Sequence, residues 1–140
     1  MSWKGELLHI HTAVGASAHM RVLAEARLVP GVGIEGDRYA TLTGTYSNRN
    51  HIDRQVTLIE QETLDALARD HGIELAPHEH RRNLTTCGVP LNHLVGRYFS
   101  IGECVLYGGR RGAVSLAVRT NDFRKALYTG KLLGHLVTLK

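Results

Sequence analysis

Residues 6–11 (ELLHIH) read as a first strand that would set His9 and His11, two apart, on one face. Polar and apolar residues alternate along residues 53–60 (DRQVTLIE), the pattern of a half-buried strand. The period then changes. Over residues 60–72 (EQETLDALARDHG) the apolar Leu64, Leu67 and Ala68 recur at three-four spacing, acids fill the first turn and Gly72 is a stop signal, which predicts a helix. Residues 20–28 (MRVLAEARL) fit either a strand or a helix, ended by Val29-Pro30-Gly31. Two short strands are expected to meet at Gly102, one over residues 98–101 and one over residues 104–107. Residues 113–118 (AVSLAV) predict a further strand, residues 122–128 a short helix capped by Thr120 or Asn121, and residues 132–139 (LLGHLVTL) a last strand. Strands outnumber helices. The expected fold is α+β, mainly β: a single domain over residues 1–140, built as a small closed or nearly closed β-barrel with two or three packed helices.

Composition narrows the setting. A hydrophobic content of 43% in 140 residues suits one core. No apolar run approaches the roughly 18–20 residues of a membrane helix, and the N-terminus lacks the apolar centre of a signal peptide, so a cytoplasmic protein without membrane association is expected. The two cysteines, Cys87 and Cys104, are too few for a disulfide scaffold and read as reduced thiols. A net charge of +4 and a pI near 9.3 favour anionic partners. The basic residues form no Lys/Arg tract, and two Phe, five Tyr and one Trp make a poor stacking platform, so nucleic acid is not expected. Fifteen glycines imply many turns, the habit of β-rich folds.

Residues 80–112 hold the densest chemistry. Arg81 and Arg82 precede Asn83, Thr85 and Thr86, a donor-rich segment suited to phosphate or carboxylate because the guanidinium fork binds anionic oxygens in pairs. A solvated basic turn is the alternative. Cys87 comes directly after, where the adjacent arginines would lower its pKa and favour a thiolate. A second segment, residues 31–39 (GVGIEGDRY), resembles a dinucleotide loop in its glycines, but residues 37–44 make a poor helix start and residues 43–50 read as loop, so that reading is rejected. A glycine-lined turn remains that delivers Asp37 and Arg38 side by side, with Arg38 free to orient Asp37 or reach a ligand. His9 and His11, and again His78 and His80, stand two apart. That spacing can hold a metal, but no carboxylate or cysteine accompanies the first pair, and a polar face is the plainer reading; no metal site is assigned.

In their order and intervals, GVGIEGDRYA, RQVTLIEQETLDAL and RRNLTTCGVPLNHLVGRYFSIGE resemble the MOSC domain, the molybdenum cofactor sulfurase C-terminal domain, over residues 7–111. The resemblance implies a β-barrel of α+β type in a stand-alone bacterial member. It also implies binding of the molybdenum cofactor through its pterin phosphate, sulfur transfer for metal–sulfur cofactor assembly, and a cysteine desulfurase or a molybdoenzyme as partner, pyridoxal phosphate belonging to the desulfurase. Carried over residue by residue, it assigns ligand binding to Gly36, Asp37 and Arg38 in the glycine-Asp-Arg turn, to Arg54 at the Arg-Gln strand start, and to Arg82, Asn83 and Thr85 in the Arg-Asn-x-Thr segment.

One departure bears on the chemistry. The family's reactive cysteine lies after the strand that matches residues 103–107, in a Pro-Cys step. Here residues 108–116 read GGRRGAVSL, with Ser115 or a neighbour in its place. A hydroxyl cannot carry a persulfide or ligate molybdenum as a thiolate does. Cys87 is the substitute nucleophile by position, and Cys104 reads as a small core residue. The resemblance thus leaves two functions open, a sulfur carrier working through Cys87 and a ligand- or partner-binding module without catalysis.

Overall fold

The computed structural model describes residues 4–45, 47, 54–111, 115–120 and 135–139, with side chains up to residue 109. Ten strands occur among them: β1 (Lys4–Thr12), β2 (Arg21–Leu23), β3 (Leu28–Val29), β4 (Gly33–Ile34), β5 (Val56–Glu60), β6 (Leu84–Cys87), β7 (Tyr98–Ile101), β8 (Cys104–Arg111), β9 (Ser115–Thr120) and β10 (His135–Leu139). The one α-helix among the described residues is α1 (Gln61–His71), and Leu91–His93 make a single 3-10 turn. The fold is mainly β, as expected. The expected second helix, over residues 122–128, lies outside the described residues. Residues 20–28 do not form one element; β2 and the start of β3 share them. The strand expected from residue 53 begins at Val56.

The large sheet runs β10-β7-β8-β9-β5-β6-β1-β2, and β1 also pairs with β10, so the ladder from β10 to β1 returns to its start through seven strands. All its pairings are antiparallel except β5 with β6, where Leu58 stands opposite Leu84 and Glu60 opposite Thr86. A parallel pair needs a crossover, and α1 supplies it. Leu64 is the helix's buried residue, and Gly72 at φ +65° ends it, its N–H bonding the Ala68 carbonyl. β3 and β4 form a separate ribbon, joined across residues 30–32.

A single apolar core fills the interior, with Leu7 and Ile10 from β1, Val56 and Leu58 from β5, Leu84, Phe99 and Leu106 among its most buried members. Leu7 and Ile10 are three apart, which strict strand alternation would send to opposite faces. A bulge resolves this: along β1–β6, Leu7 faces Thr86 and His9 already faces Thr85, so two steps on β1 match one on β6. The phase shift returns Ile10 to the core and leaves His9 and His11 together on the other face. At the far side, β8 bulges between Gly108 and Arg110. There the backbone of Leu94 and Val95 crosses so closely that a Cβ on Gly108 would meet the Leu94 carbonyl carbon at 2.7 Å.

Candidate functional site

The site grows from the turn after β4. The Asp37 N–H bonds the Ile34 carbonyl at 3.0 Å, a tight turn whose third residue is Gly36 at φ +83°, a conformation that glycine adopts without strain. The turn drives Asp37 into the interior, where it is fully buried. Its Oδ1 accepts the Ala13 N–H at 3.0 Å and its Oδ2 the Tyr39 N–H at 3.2 Å. Arg38 is also buried, 4% exposed. Its guanidinium donates to Asp37 Oδ1 and Met20 Sδ, both at 3.4 Å, and to the Arg81 carbonyl at 2.9 Å, and it lies 4.5 Å from the Tyr39 ring centre. Arg81 in turn adopts φ +59° and donates from Nη1 to the Ala18 carbonyl at 2.8 Å. Segments near residues 18, 38 and 81 are thereby clasped together.

Asn83 closes the opposite side. Fully buried, it sits between β1 and β5 just before β6 begins. Its backbone N–H bonds the Thr57 carbonyl and its carbonyl accepts the His11 N–H; its Oδ1 accepts the Thr57 N–H and hydroxyl, each at 3.1 Å, and its Nδ2 donates to the His11 carbonyl at 3.0 Å. The amide completes the strand ladders on both flanks. The sequence assigned Asn83 and Arg38 to a ligand. The structure turns their polar atoms inward, and they hold the wall that other residues face.

Those other residues include histidines. The ring centres of His9 and His11 are 6.0 Å apart, and those of His11 and His80 6.0 Å apart at 89°. His80 Nδ1 accepts the Arg82 N–H at 2.9 Å, so the proton of its neutral ring sits on Nε2, which faces Thr85 Oγ1 at 3.2 Å. Burial, then His11, Arg82, His9 and His78, hold the His80 pKa down at about 4. Burial, then His9 and His78, lower that of His11. His11 is 2% exposed, and its buried Nδ1 has no hydrogen-bond partner among the described residues. Arg82 folds back with Nη1 on the His80 carbonyl at 3.2 Å, and Arg54 is half-buried just ahead of β5. Among the described residues no group of three or more His, Cys, Asp or Glu is arranged to hold a metal ion.

The thiols stand apart from this wall. β6 carries the chain about 10 Å onward before Cys87 is reached. Cys87 is exposed, and its pKa is raised, Glu62 being the largest cause, with Glu6 and Asp65 adding. The expectation that Arg81 and Arg82 would lower it is corrected: its neighbours in space are carboxylates. Glu62 also accepts the Gly88 N–H at 3.2 Å, and Glu60 the Leu91 N–H at 2.9 Å, so the junction of β5 and α1 pins the loop after Cys87. Cys104 is buried, its pKa pushed up to about 12 by burial and Glu103. Ser115 opens β9 opposite Ile59; its side chain lies outside those described. His11 and His80 lie beside this wall without having been assigned to it, and Arg81 was read only as part of the basic segment. The signal was present in the two His-x-His pairs, whose meeting required the fold.

No family model matches the chain. Its fold is shared with MOSC-like proteins of solved structure. YuaD of Bacillus subtilis superimposes with a TM-score of 0.77 at 13% identity, covering 99% of this chain and 96% of that one. YiiM of Escherichia coli gives 0.63 at 16% identity over 99% and 70%, and YiiM of Geobacillus stearothermophilus 0.66 at 10% identity over 97% and 75%. A short stretch has a different likeness. Over 36 residues, 26% of this chain, it is 78% identical to large ribosomal subunit protein bL25 of Phenylobacterium zucineum and 69% identical to bL25 of Caulobacter vibrioides. The match spans only 17% and 18% of those proteins' lengths. No helix among the described residues is long and apolar enough to cross a membrane.

Proposed function

We propose that this protein is an anion-binding module of MOSC type, which takes the phosphate end of the molybdenum cofactor, or a related anionic ligand, against Arg81, Arg82 and Thr85. We read the cyclic strand pairing as the barrel of that fold. The observation that carries the reading is the clasp of Arg38 on Arg81. A buried arginine fixes the backbone of a second arginine, whose own guanidinium is held by the Ala18 carbonyl, so the bond that positions this charge does not neutralise it. Asp37, the nearby acid, is already occupied by two backbone N–H groups and Arg38. Such a wall suits a phosphate. The thiols do not suit the sulfur-carrier role, which needs an accessible thiolate: Cys87 is disfavoured as one by Glu62, and Cys104 is buried. The reading therefore assigns no sulfur-transfer step to these thiols. The test is an NMR titration with a pterin phosphate. Amide shifts confined to residues 36–38 and 81–85, and weakened by Arg82→Ala, are expected; a flat titration overturns the reading.

A second reading rests on the bL25-like stretch. Residues 1–104 carry ten Lys/Arg against twelve Asp/Glu, whereas residues 105–140 carry seven against one. We infer that these last 36 residues are the matching ones and contact ribosomal RNA, since so uneven a charge suits a polyanion. This departs from the expectation that nucleic acid plays no part. Filter binding to ribosomal RNA tests it. Salt-sensitive binding that is lost when Arg110, Arg111, Arg124 and Lys125 are changed to Glu supports the reading, and binding indifferent to these changes refutes it.

A further inference from the structure

The four histidines around the wall are not explained by anion binding through arginine alone. His9 and His11 come from β1, and His78 and His80 from the segment before β6, together with Arg81 and Arg82; Arg38 reaches in from the third side with Asp37, whose carboxylate is already occupied. Every other charge in this group is positive or becomes so on protonation, and among the described residues no carboxylate is paired with an imidazole. His80 is fully engaged at both ring nitrogens, and a proton on its Nδ1 would set donor against the Arg82 N–H. His11 is different. The residue is only 2% exposed, and its Nδ1 has no hydrogen-bond partner among the described residues. A buried polar atom without a partner in an otherwise satisfied site marks a missing hydrogen-bonding group. A proton on that nitrogen would break no bond. The opposing cost is that of a buried charge near the imidazoles of His9, His78 and His80, and a bound anion removes that cost.

We propose that His9 and His11 form an imidazole subsite beside the arginine wall, where a divalent oxyanion binds together with a proton drawn from solvent onto His11. This rests on the anion-wall reading above and adds to it a second set of contacts and a proton linkage. His80 keeps a positioning role, holding the Arg82 backbone and Thr85.

Sulfate is the probe, because its charge and that of arginine stay constant between pH 6 and 7.5, so a wall of arginine alone would bind it equally throughout. The measurements are calorimetric titration in two buffers of different ionisation enthalpy and long-range proton–nitrogen spectra of the imidazoles. Expected are proton uptake on binding, affinity roughly three- to tenfold higher at pH 6 than at pH 7.5, and movement of the His11 ring signals toward the protonated pattern. His11→Gln should flatten the pH dependence. Sulfate binding without proton uptake, or with His11 unmoved, overturns the subsite and leaves the arginine wall standing; no binding at either pH overturns both. The imidazole spectra of the unaltered protein decide the matter even if His11→Gln fails to fold.

Discussion

The guanidinium of Arg38 donates to the carbonyl of Arg81 at 2.9 Å, joining a turn after β4 to a turn before β6 across 43 residues of chain. A basic residue buried at 4% exposure therefore serves the position of another basic residue. This contact and its neighbours separate the frame of the site from its face, and each can be probed by itself.

Arg38→Ala should destabilise the fold by about 3 kcal/mol, because it leaves Asp37 buried with its charge partner gone and frees the Arg81 carbonyl. Arg38→Lys should recover only part of this, since one ammonium cannot span Asp37, Met20 and Arg81 as the planar fork does. Urea denaturation measures both. A loss below about 0.5 kcal/mol for the alanine variant would place the arginine outside the frame.

Asn83→Asp keeps the shape of the side chain and replaces the Nδ2 donor to the His11 carbonyl with a second acceptor. A loss of about 2 kcal/mol is expected. In Asn83→Ala the Thr57 amide loses the Oδ1 that accepts it, so its hydrogen exchange should quicken while that of the core strand β7 tracks only the global loss. Unchanged exchange at Thr57 would contradict the bridging role.

The histidines give the fold an acid limit. His80 titrates at about 4 when folded against an ordinary value of 6.5, and His11 is lowered too. The unfolded chain binds these protons first, so their contribution is fully present above pH 6.5 and is lost as pH falls through about 4. Denaturation midpoints should drop between pH 7 and pH 4.5, and less steeply in His80→Gln. A pH-independent midpoint in that variant and the parent alike would show that His80 is not held neutral.

The two thiols should react differently. Cys87, exposed beside Glu62, should be modified by a disulfide reagent slowly at pH 7 and faster as pH rises, with Glu62→Gln accelerating it at neutral pH. Cys104 should react only on unfolding. Fast modification of Cys87 at pH 7 that ignores Glu62 would restore the case for a reactive thiol.

The elements were legible wherever local chemistry is decisive. The helix ending at Gly72, the strands meeting at Gly102 and the glycine turn before Asp37 are set by periodicity and by which residues tolerate positive φ, and both act over a few positions of chain. The ordered segments around Asp37, Arg54 and Arg82 likewise pointed to a mainly β fold, which the chain shares with YuaD and YiiM. Tertiary structure decided the roles. Adjacency in sequence suggested that Arg81 and Arg82 would act on Cys87, but an extended strand carries Cys87 away from them and toward Glu62, and Coulomb interactions depend on distance in space. The bulge after Leu7 is equally silent in sequence, since it comes from the register of β1 against β6. That register and the turn before β6 bring His11 to His80, and no spacing along the chain could have announced it.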